Sequence, residues 1–309
     1  MRTYGTDPFR NLAIEQRCTE EIQEGEILLY LWQNAKTVVI GRNQNAWKEC
    51  DIHRLEQDGG TLARRFSGGG AVFHDLGNLN FSFCVRKEDY DVDRQLEVIL
   101  RAVRSFGLEA EKTGRNDLTI HGMKFSGNAF LKTEKGCCHH GTLLLETDAE
   151  LLGRYLTVSK DKLASKGVDS VRSRVCTLKE WAADMTIDSL CQALEEAFYQ
   201  VYGMRPERVE APDDLEQEIR FLSSWDWRFG RKIPFTTEMD HRFPWGGVDL
   251  KLLVDEGRVR KAKLFTDAMD PELSTRVEQS IIGQRFRGED LARALSFQPD
   301  LSDWIRNSI

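Results

Sequence analysis

Residues 62–83, LARRFSGGGAVFHDLGNLNFSF, constrain the fold more than any other part of this chain. Leu79, Phe81 and Phe83 share one face of an alternating run and Asn80, Ser82 and Cys84 share the other, which is the period-2 pattern of a half-buried strand. Ala71, Val72 and Phe73 predict a second short strand just before it, so Gly68, Gly69 and Gly70 sit where the backbone enters a sheet. Ordering a glycine costs roughly 0.5 to 1 kcal/mol relative to alanine. A folded chain keeps three in a row where side chains would obstruct something, and the usual obstruction is a ligand. Exposed N–H groups in such a turn form an anion-binding nest. Arg64 and Arg65 supply forked donors suited to a phosphate or carboxylate, with Ser67 and the pair His74–Asp75 close by. The same residues also fit a tight turn with its arginines in solvent. The run has no GK[ST] and no GxGxxG opening a helix, so it is neither a Walker A loop nor a dinucleotide fingerprint.

The rest of the chain bounds what this site can serve. With 309 residues, 40% of them hydrophobic, the chain can bury a sizeable core in one large and one small domain. A formal charge of -7 argues against nonspecific nucleic-acid binding, so an anionic ligand has to be held by a local basic cluster. No stretch approaches the roughly 18 apolar residues of a membrane span, and the N-terminal MRTYGTDPFRNLAIEQ has no apolar signal core. A cytoplasmic protein is expected. The seven cysteines include no CxxC pair, which fits reduced thiols. Cys137–Cys138 followed by His139–His140 resembles a ligand cluster, but neighbours on a strand point to opposite faces, which disfavours zinc there.

Along the chain, periodicity predicts a helix over 10–24 and strands over Ile27–Trp32 and Thr37–Ile40, closed by Gly41-Arg42-Asn43. A polar helix over Lys48–Gln57 follows, then the organising strand-turn-strand. Val92, Leu96, Ile99, Leu100, Val103 and Phe106 form a helical core stripe with Gly107 as its cap. Strands are predicted at Asp117–Ile120, Lys124–Phe130 and Thr142–Glu146, and a second amphipathic helix runs from Leu190 to Val201 and ends at Gly203. The basic segment 160–175 reads either as a solvated connection or as a lid. RPERVEAPDD, residues 205–214, is the candidate linker between a catalytic domain over 1–204 and a smaller α+β domain over 215–309. In the latter, Val248–Val254 and Val259–Phe265 form a hairpin covered by helices near 271–282 and 288–295.

The RRxSGGGAVxHDxGNxNFSF pattern closely resembles the lipoate-protein ligase A family of the biotin/lipoate ligase superfamily. The likeness extends through residues 47–59 (WKECDIHRLEQDG), 114–130 (GRNDLTIHGMKFSGNAF), 139–148 (HHGTLLLETD), 162–175 (KLASKGVDSVRSRV) and 243–267, so it covers about residues 4 to 295. It implies an α+β fold with a large mixed-sheet catalytic domain. It also implies an ATP-dependent reaction in which lipoate becomes lipoyl-AMP, with Mg²⁺ as cofactor, and is then passed to a lysine of an apo carrier. The implied carriers are the lipoyl domains of 2-oxoacid dehydrogenase acyltransferase subunits and the glycine-cleavage carrier protein.

By the same resemblance Lys124 is the site lysine touching both the acyl carbonyl and the adenylate phosphate. A compact cation on a strand is suited to gathering two anionic reactants. Arg65, Gly70, Ala71, Val72 and Phe73 match the family's ATP-binding positions, and Ser67, Gly68 and Gly69 its lipoate loop, with His74 and His140 beside the pocket. Asp117, in the RND element, matches a nucleotide-site acid suited to Mg²⁺, a hard ion that prefers oxygen ligands. Arg172 and Arg174 fall in the implied adenylate-binding loop. Where the family usually has SG[ST]A, this chain has Ser126-Gly127-Asn128-Ala129, which leaves acyl-chain selectivity open. Three other readings stay open from the sequence: a transferase using preformed lipoyl-AMP, an octanoyl amidotransferase working through a cysteine such as Cys137 or Cys138, and a non-catalytic biotin- or lipoate-sensing module.

Overall fold

The structure, a computed structural model, describes residues 1–113, 117–156, 175–205, 207–229, 237–255 and 258–309. Helix α1 (Pro8–Glu21) starts at Asp7, whose carboxylate accepts from the Phe9 N–H, and leads to β1 (Ile27–Trp32) and β2 (Thr37–Ile40). The polar helix expected over 48–57 is two short ones, α2 (Ala46–Glu49) and α3 (Ile52–Gln57), because the Asp51 side chain accepts from the Arg54 N–H and starts a new helix. After β3 (Thr61–Arg64) and β4 (Val72–His74) comes β5 (Asn78–Val85), the organising strand.

β5 is buried on both faces, not on one. Leu79, Phe81 and Phe83 enter the largest apolar core with Leu96, Ile99 and Val103 of α4 (Val92–Arg104). The polar face carries Asn80 and Ser82, both buried. Ser82 donates to Glu15 of α1 and accepts from Trp32 Nε1. A polar row buried in this way carries its own hydrogen-bond network, so the alternation that reads as solvent exposure marks an interior polar site.

β6 (Ala110–Thr113), β7 (Asp117–Ile120), β8 (Met123–Lys132) and β9 (Cys137–Leu144) complete a six-stranded sheet in the order β1-β5-β9-β8-β7-β6. Every strand pairing in it is antiparallel, and the mixed pairing expected of the large domain is supplied by a second, smaller sheet. The turn between β7 and β8 shows why the pairing here is antiparallel: His121 (φ 49) and Gly122 (φ 77) reverse the chain in two residues, and a parallel partner would need a crossover. Among the described strands, parallel strand pairing is in the small sheet β3-β2-β4, where α2 and α3 supply the crossover from β2 to β3, and isolated parallel bridges join Arg2 to Leu31 and Lys124 to Val175.

α5 (Ala149–Tyr155) packs beside β4. α6 (Ile187–Tyr202), capped by Thr186 and ended by Gly203 at φ 76, lies on α4. α7 (Glu216–Ser223) and α8 (Trp225–Phe229) also belong to this body: Leu215 and Leu222 share a core with Leu12, Tyr30 and Trp32, and Arg64 Nε donates to Trp227 O at 2.8 Å. The second body therefore begins after 229 and not at the expected 215. It is the antiparallel sheet of β10 (Thr237–Phe243), β11 (Gly246–Asp255) and β12 (Arg258–Thr266), covered by α9 (Leu273–Ile281), α10 (Gly288–Ala294) and α11 (Pro299–Ser308). Val248, Leu250, Leu264, Val277, Leu291 and Ile305 form its separate core. Among the described residues no helix is long and apolar enough to cross a membrane.

Candidate active site between the two bodies

A cavity of about 670 Å³ lies between the large sheet, the glycine loop and the edge of the second body. Lys124 reaches it because β8 is irregular. Thr119 pairs with Lys124 but Leu118 pairs with Ser126, so one extra residue on β8 resets the alternation and puts Lys124 and Gly127 on one face. A Cβ on Gly127 would sit 3.0 Å from Lys124 Nζ and 3.2 Å from Cε, so the bare glycine is what lets the lysine stem lie across the strand. Asp117, opposite Gly127 in register, holds Lys124 Nζ at 2.6 Å. Both side chains are a third or more exposed to the cavity mouth, at 35% and 40%.

The arginine pair is used differently. Arg65 Nε donates to Ser67 Oγ at 3.0 Å and Nη2 to Gly68 O at 2.7 Å and Gly70 O at 2.8 Å, while Nη1 reaches Val39 O. Burial lowers its pKa to about 10 against the pull of Glu15. Arg64 is similarly spent on the carbonyls of Arg42, Gln44 and Arg228, and burial takes it to about 10 as well. Both guanidiniums tie backbone together and aim few donors outward, so the fork expected for a phosphate acts as a loop brace.

The glycines divide likewise. A Cβ on Gly68 would come within 2.4 Å of Ala268 O and 2.8 Å of Met269 O, and the Gly69 N–H donates to Ala268 O at 3.0 Å with φ 89. The obstruction that keeps Gly68 bare in this structure is the second body, where the sequence suggested a ligand. Gly70 has nothing within 4 Å of its missing Cβ and lines the cavity together with Gly69, Ala71 and Val72. Phe73 turns away into the core against Tyr155, as strand alternation requires, and Ser67 lies wholly buried behind the loop. Arg172 and Arg174 lie outside the described residues.

His74 and His140 both line the cavity, with different electrostatics. Burial, then Arg65 and His140, push His74 down to about 3, so it is neutral at physiological pH. Its Nδ1 meets Asn34 Nδ2 at 3.1 Å, which makes Nδ1 the acceptor and leaves Nε2 to carry the proton. That disposition suits a hydrogen-bond donor and not the general base a histidine at this position suggests. His140 bridges Ser67 Oγ and Glu15 Oε2, each at 2.7 Å. Burial raises the Glu15 carboxyl, but His140, Ser82 and Arg65 together outweigh it and hold it below the usual range. His139 points the other way to Gln95 and Asn128, and burial takes it to about 3.

Three buried polar atoms lining the cavity have no hydrogen-bond partner among the described residues: His74 Nε2, Asn80 Nδ2 and Thr119 Oγ1. Such orphans cost about 1 to 3 kcal/mol each unless a ligand or water meets them. Asn80 and Thr119 went unnoticed as site residues, although the polar face of the alternating run contained the signal for Asn80. No cysteine is among the described residues lining the cavity.

A lysine at the mouth of a cavity, an acid beside it and buried polar atoms without partners are the features of a ligand-binding enzyme site. The comparisons narrow that class. The model of the lipoyl protein ligase A/B catalytic domain matches residues 7–199, and that of the bacterial lipoate protein ligase C-terminus matches 232–308. The chain therefore belongs to the lipoate-protein ligase family and is a lipoate ligase-type enzyme. Among solved structures, P. falciparum LipL1 in complex with lipoate is similar at TM-score 0.85 and 28% identity, over 99% of this chain and 97% of that one. The bipartite lipoate protein ligase of Thermoplasma acidophilum, described with its E2 lipoyl domain, matches at TM-score 0.66 and 28% identity over 77% of this chain and 97% of that one. A lipoate-protein ligase A bound with ATP matches at TM-score 0.65 and 27% identity over 74% and 96%.

Proposed function

We propose that this protein is an ATP-dependent lipoate-protein ligase. A lipoate carboxylate oxygen attacks the α-phosphorus of ATP, the bond to the β-phosphate oxygen breaks, and pyrophosphate leaves with that electron pair. The resulting lipoyl-AMP is then attacked by a carrier lysine, which forms the amide and releases AMP. The observation that carries the reading is the joint aim of Lys124, Asp117 and the bare face at Gly69–Gly70 into one cavity whose buried donors lack partners. Lys124 would lie where the two anions meet and neutralise charge as it grows on the phosphoryl oxygens. The neutral His74 would donate through Nε2 to the bound acyl group. Asp117, a carboxylate at the cavity mouth, is a fitting ligand for Mg²⁺, which when bound neutralises the triphosphate. The carriers would be apo lipoyl domains of 2-oxoacid dehydrogenase acyltransferase subunits and the glycine-cleavage carrier, and the setting the cytoplasm. The likeness to ligases described with lipoate, with ATP and with a lipoyl domain supports this reading.

A thioester route is disfavoured by the cysteines themselves. Cys137 and Cys138 are buried and are not among the described residues lining the cavity, and burial raises the Cys137 thiol. The test is lipoate-dependent pyrophosphate release with and without an apo lipoyl domain. Lys124→Ala is expected to lower it by about 10² to 10³-fold, as for loss of a preorganised electrostatic group, whereas the double variant Cys137→Ala, Cys138→Ala retains it within about twofold. Absence of release from the unmodified protein, with transfer from preformed lipoyl-AMP intact, would replace the ligase reading by the transferase one.

A further inference from the structure

The second body supplies part of the cavity wall through Arg242, Pro244, Asp267 and Met269. Arg242 sits on β10 opposite Gly247 of β11, and a Cβ on Gly247 would lie 3.0 Å from Arg242 Nη1. A bare glycine thus clears the path of an arginine stem here just as Gly127 does for Lys124. Asp267 Oδ1 accepts from the Gly247 N–H at 2.6 Å, which fixes the carboxylate from behind. Its other oxygen, Oδ2, faces both terminal nitrogens of Arg242 at 3.3 Å, longer than the roughly 2.7 to 2.9 Å of a tight guanidinium–carboxylate pair. Arg242 is therefore steered but not clamped, and its side chain is 34% exposed.

A triphosphate entering this cavity brings several negative charges, and the cations able to answer them can be compared. Arg65 has most of its donors engaged by the carbonyls of Val39, Gly68 and Gly70 and by Ser67, and His74 is neutral. Among the described lining residues, the cations that remain are Lys124 and Arg242. A lysine serves one phosphate as a point charge, whereas a guanidinium offers a planar fork that spans two oxygens.

We propose that Arg242, from the second body, binds the phosphate chain of the nucleotide on its β,γ side, and that it neutralises the pyrophosphate leaving when the α-phosphorus is attacked. The inference rests on the ligase reading above and deepens it, because it makes nucleotide binding depend on the second body being seated. The seat is built for the purpose: the Gly69 N–H donates to Ala268 O, the Thr266 N–H to Asn43 O at 2.8 Å, Asn43 Nδ2 to Pro271 O at 2.9 Å, and Arg42 pairs with Glu272 at 2.9 Å. Two of these contacts, at Thr266 and Ala268, flank Asp267 directly, so seating the second body and presenting Arg242 are one geometric event.

Calorimetric titration of the full chain with MgATP tests this, with and without Arg242→Met, which keeps the stem, and Arg242→Lys, which keeps the charge. Arg242→Met is expected to raise the Kd for MgATP about tenfold or more, with Arg242→Lys between it and the parent. The KM for lipoate and the rate of transfer from preformed lipoyl-AMP to an apo lipoyl domain should stay within about twofold, which also shows that the variant is folded. An MgATP Kd within twofold of the parent, or an equal loss of lipoyl-AMP transfer, overturns the proposal. Because binding is read directly, a parent that binds MgATP but releases no pyrophosphate refutes the ligase reading while the role of Arg242 is still decided by the variants.

Discussion

Arg65 and Lys124 are both cations beside the same cavity, and the chain spends them in opposite ways. Arg65 is 6% exposed and bonded to Ser67 and to three backbone carbonyls, whereas Lys124 is 35% exposed and held by one carboxylate. A charge committed to that many fixed partners has few donors left for a substrate, and a charge held by a single exchangeable partner can leave it. Exposure and the number of committed partners, more than residue type, separate the brace from the cation a ligand can recruit. Removing each should therefore do different damage. Arg65→Met should lower global stability by roughly 3 to 5 kcal/mol, since it strands buried carbonyls and leaves Glu15 with one cation fewer. Lys124→Ala should leave stability within about 0.5 kcal/mol, as for an exposed side chain. Denaturant unfolding of the two variants decides it, and equal destabilisation would erase the distinction between them.

The same contrast governs the histidines, and pH exposes it. His74 and His139 are held near 3 by burial, well below an unfolded value near 6.5. The unfolded chain then binds more protons than the folded one below 6.5. Their contribution is fully present above that pH and is lost as pH falls from 6.5 toward 3. At 1.36 kcal/mol per unit, each histidine withdraws ~2 kcal/mol between pH 6.5 and 5. Melting followed across that window should show a steep loss in the parent and a shallower one in His139→Gln, whose replacement keeps a polar group toward Asn128 and cannot take up the proton. Parallel curves would mean that His139 is not held neutral by the fold.

Much of this molecule is legible in its sequence, for reasons that can be named. β1 and β2 come out at their predicted bounds because short β-branched and aromatic runs end at polar turns, and α4 and α6 because apolar spacing, caps and glycines agree. The large sheet's pairing direction was not legible, since direction is set by which strands meet, and that is a tertiary property. β9 begins at Cys137, before its predicted start, because β5 and β8 on either side extend far enough to pair with residues 137–141. The second body's expected start at 215 follows from the charged, proline-containing stretch 205–214, yet Leu215 and Leu222, just beyond it, pack against α1 and β1. At the site, the residues on one strand or loop were legible together: Gly69, Gly70, Val72, His74, Asp117 and Lys124 all line the cavity. Arg242 and Met269 were not, because they reach it across more than a hundred residues of chain. Arg65 lines the cavity as well, but its bracing role was not legible, because a sequence shows the donor and not the carbonyls that engage it.

Gly68 and Gly70 give the finest version of the comparison, being adjacent to the same φ-positive Gly69 but facing different neighbours. Neither has a φ that penalises alanine, so alanine at either position tests space and not backbone strain. At Gly70 the added methyl meets open cavity, so stability should hold or rise by about 0.4 to 1 kcal/mol through the unfolded chain, while the KM for a cavity ligand increases. At Gly68 the methyl meets the carbonyls of Ala268 and Met269, which are backbone and cannot rotate aside. The second body must then lift, at a cost of about 1 kcal/mol or more of overpacking. Amide exchange separates the two outcomes: Gly68→Ala should deprotect the Gly69 and Thr266 N–H groups, which donate across the seam, and Gly70→Ala should leave them protected. If both variants deprotect them equally, the loop moves as one unit and the division between a docking glycine and a cavity glycine is lost.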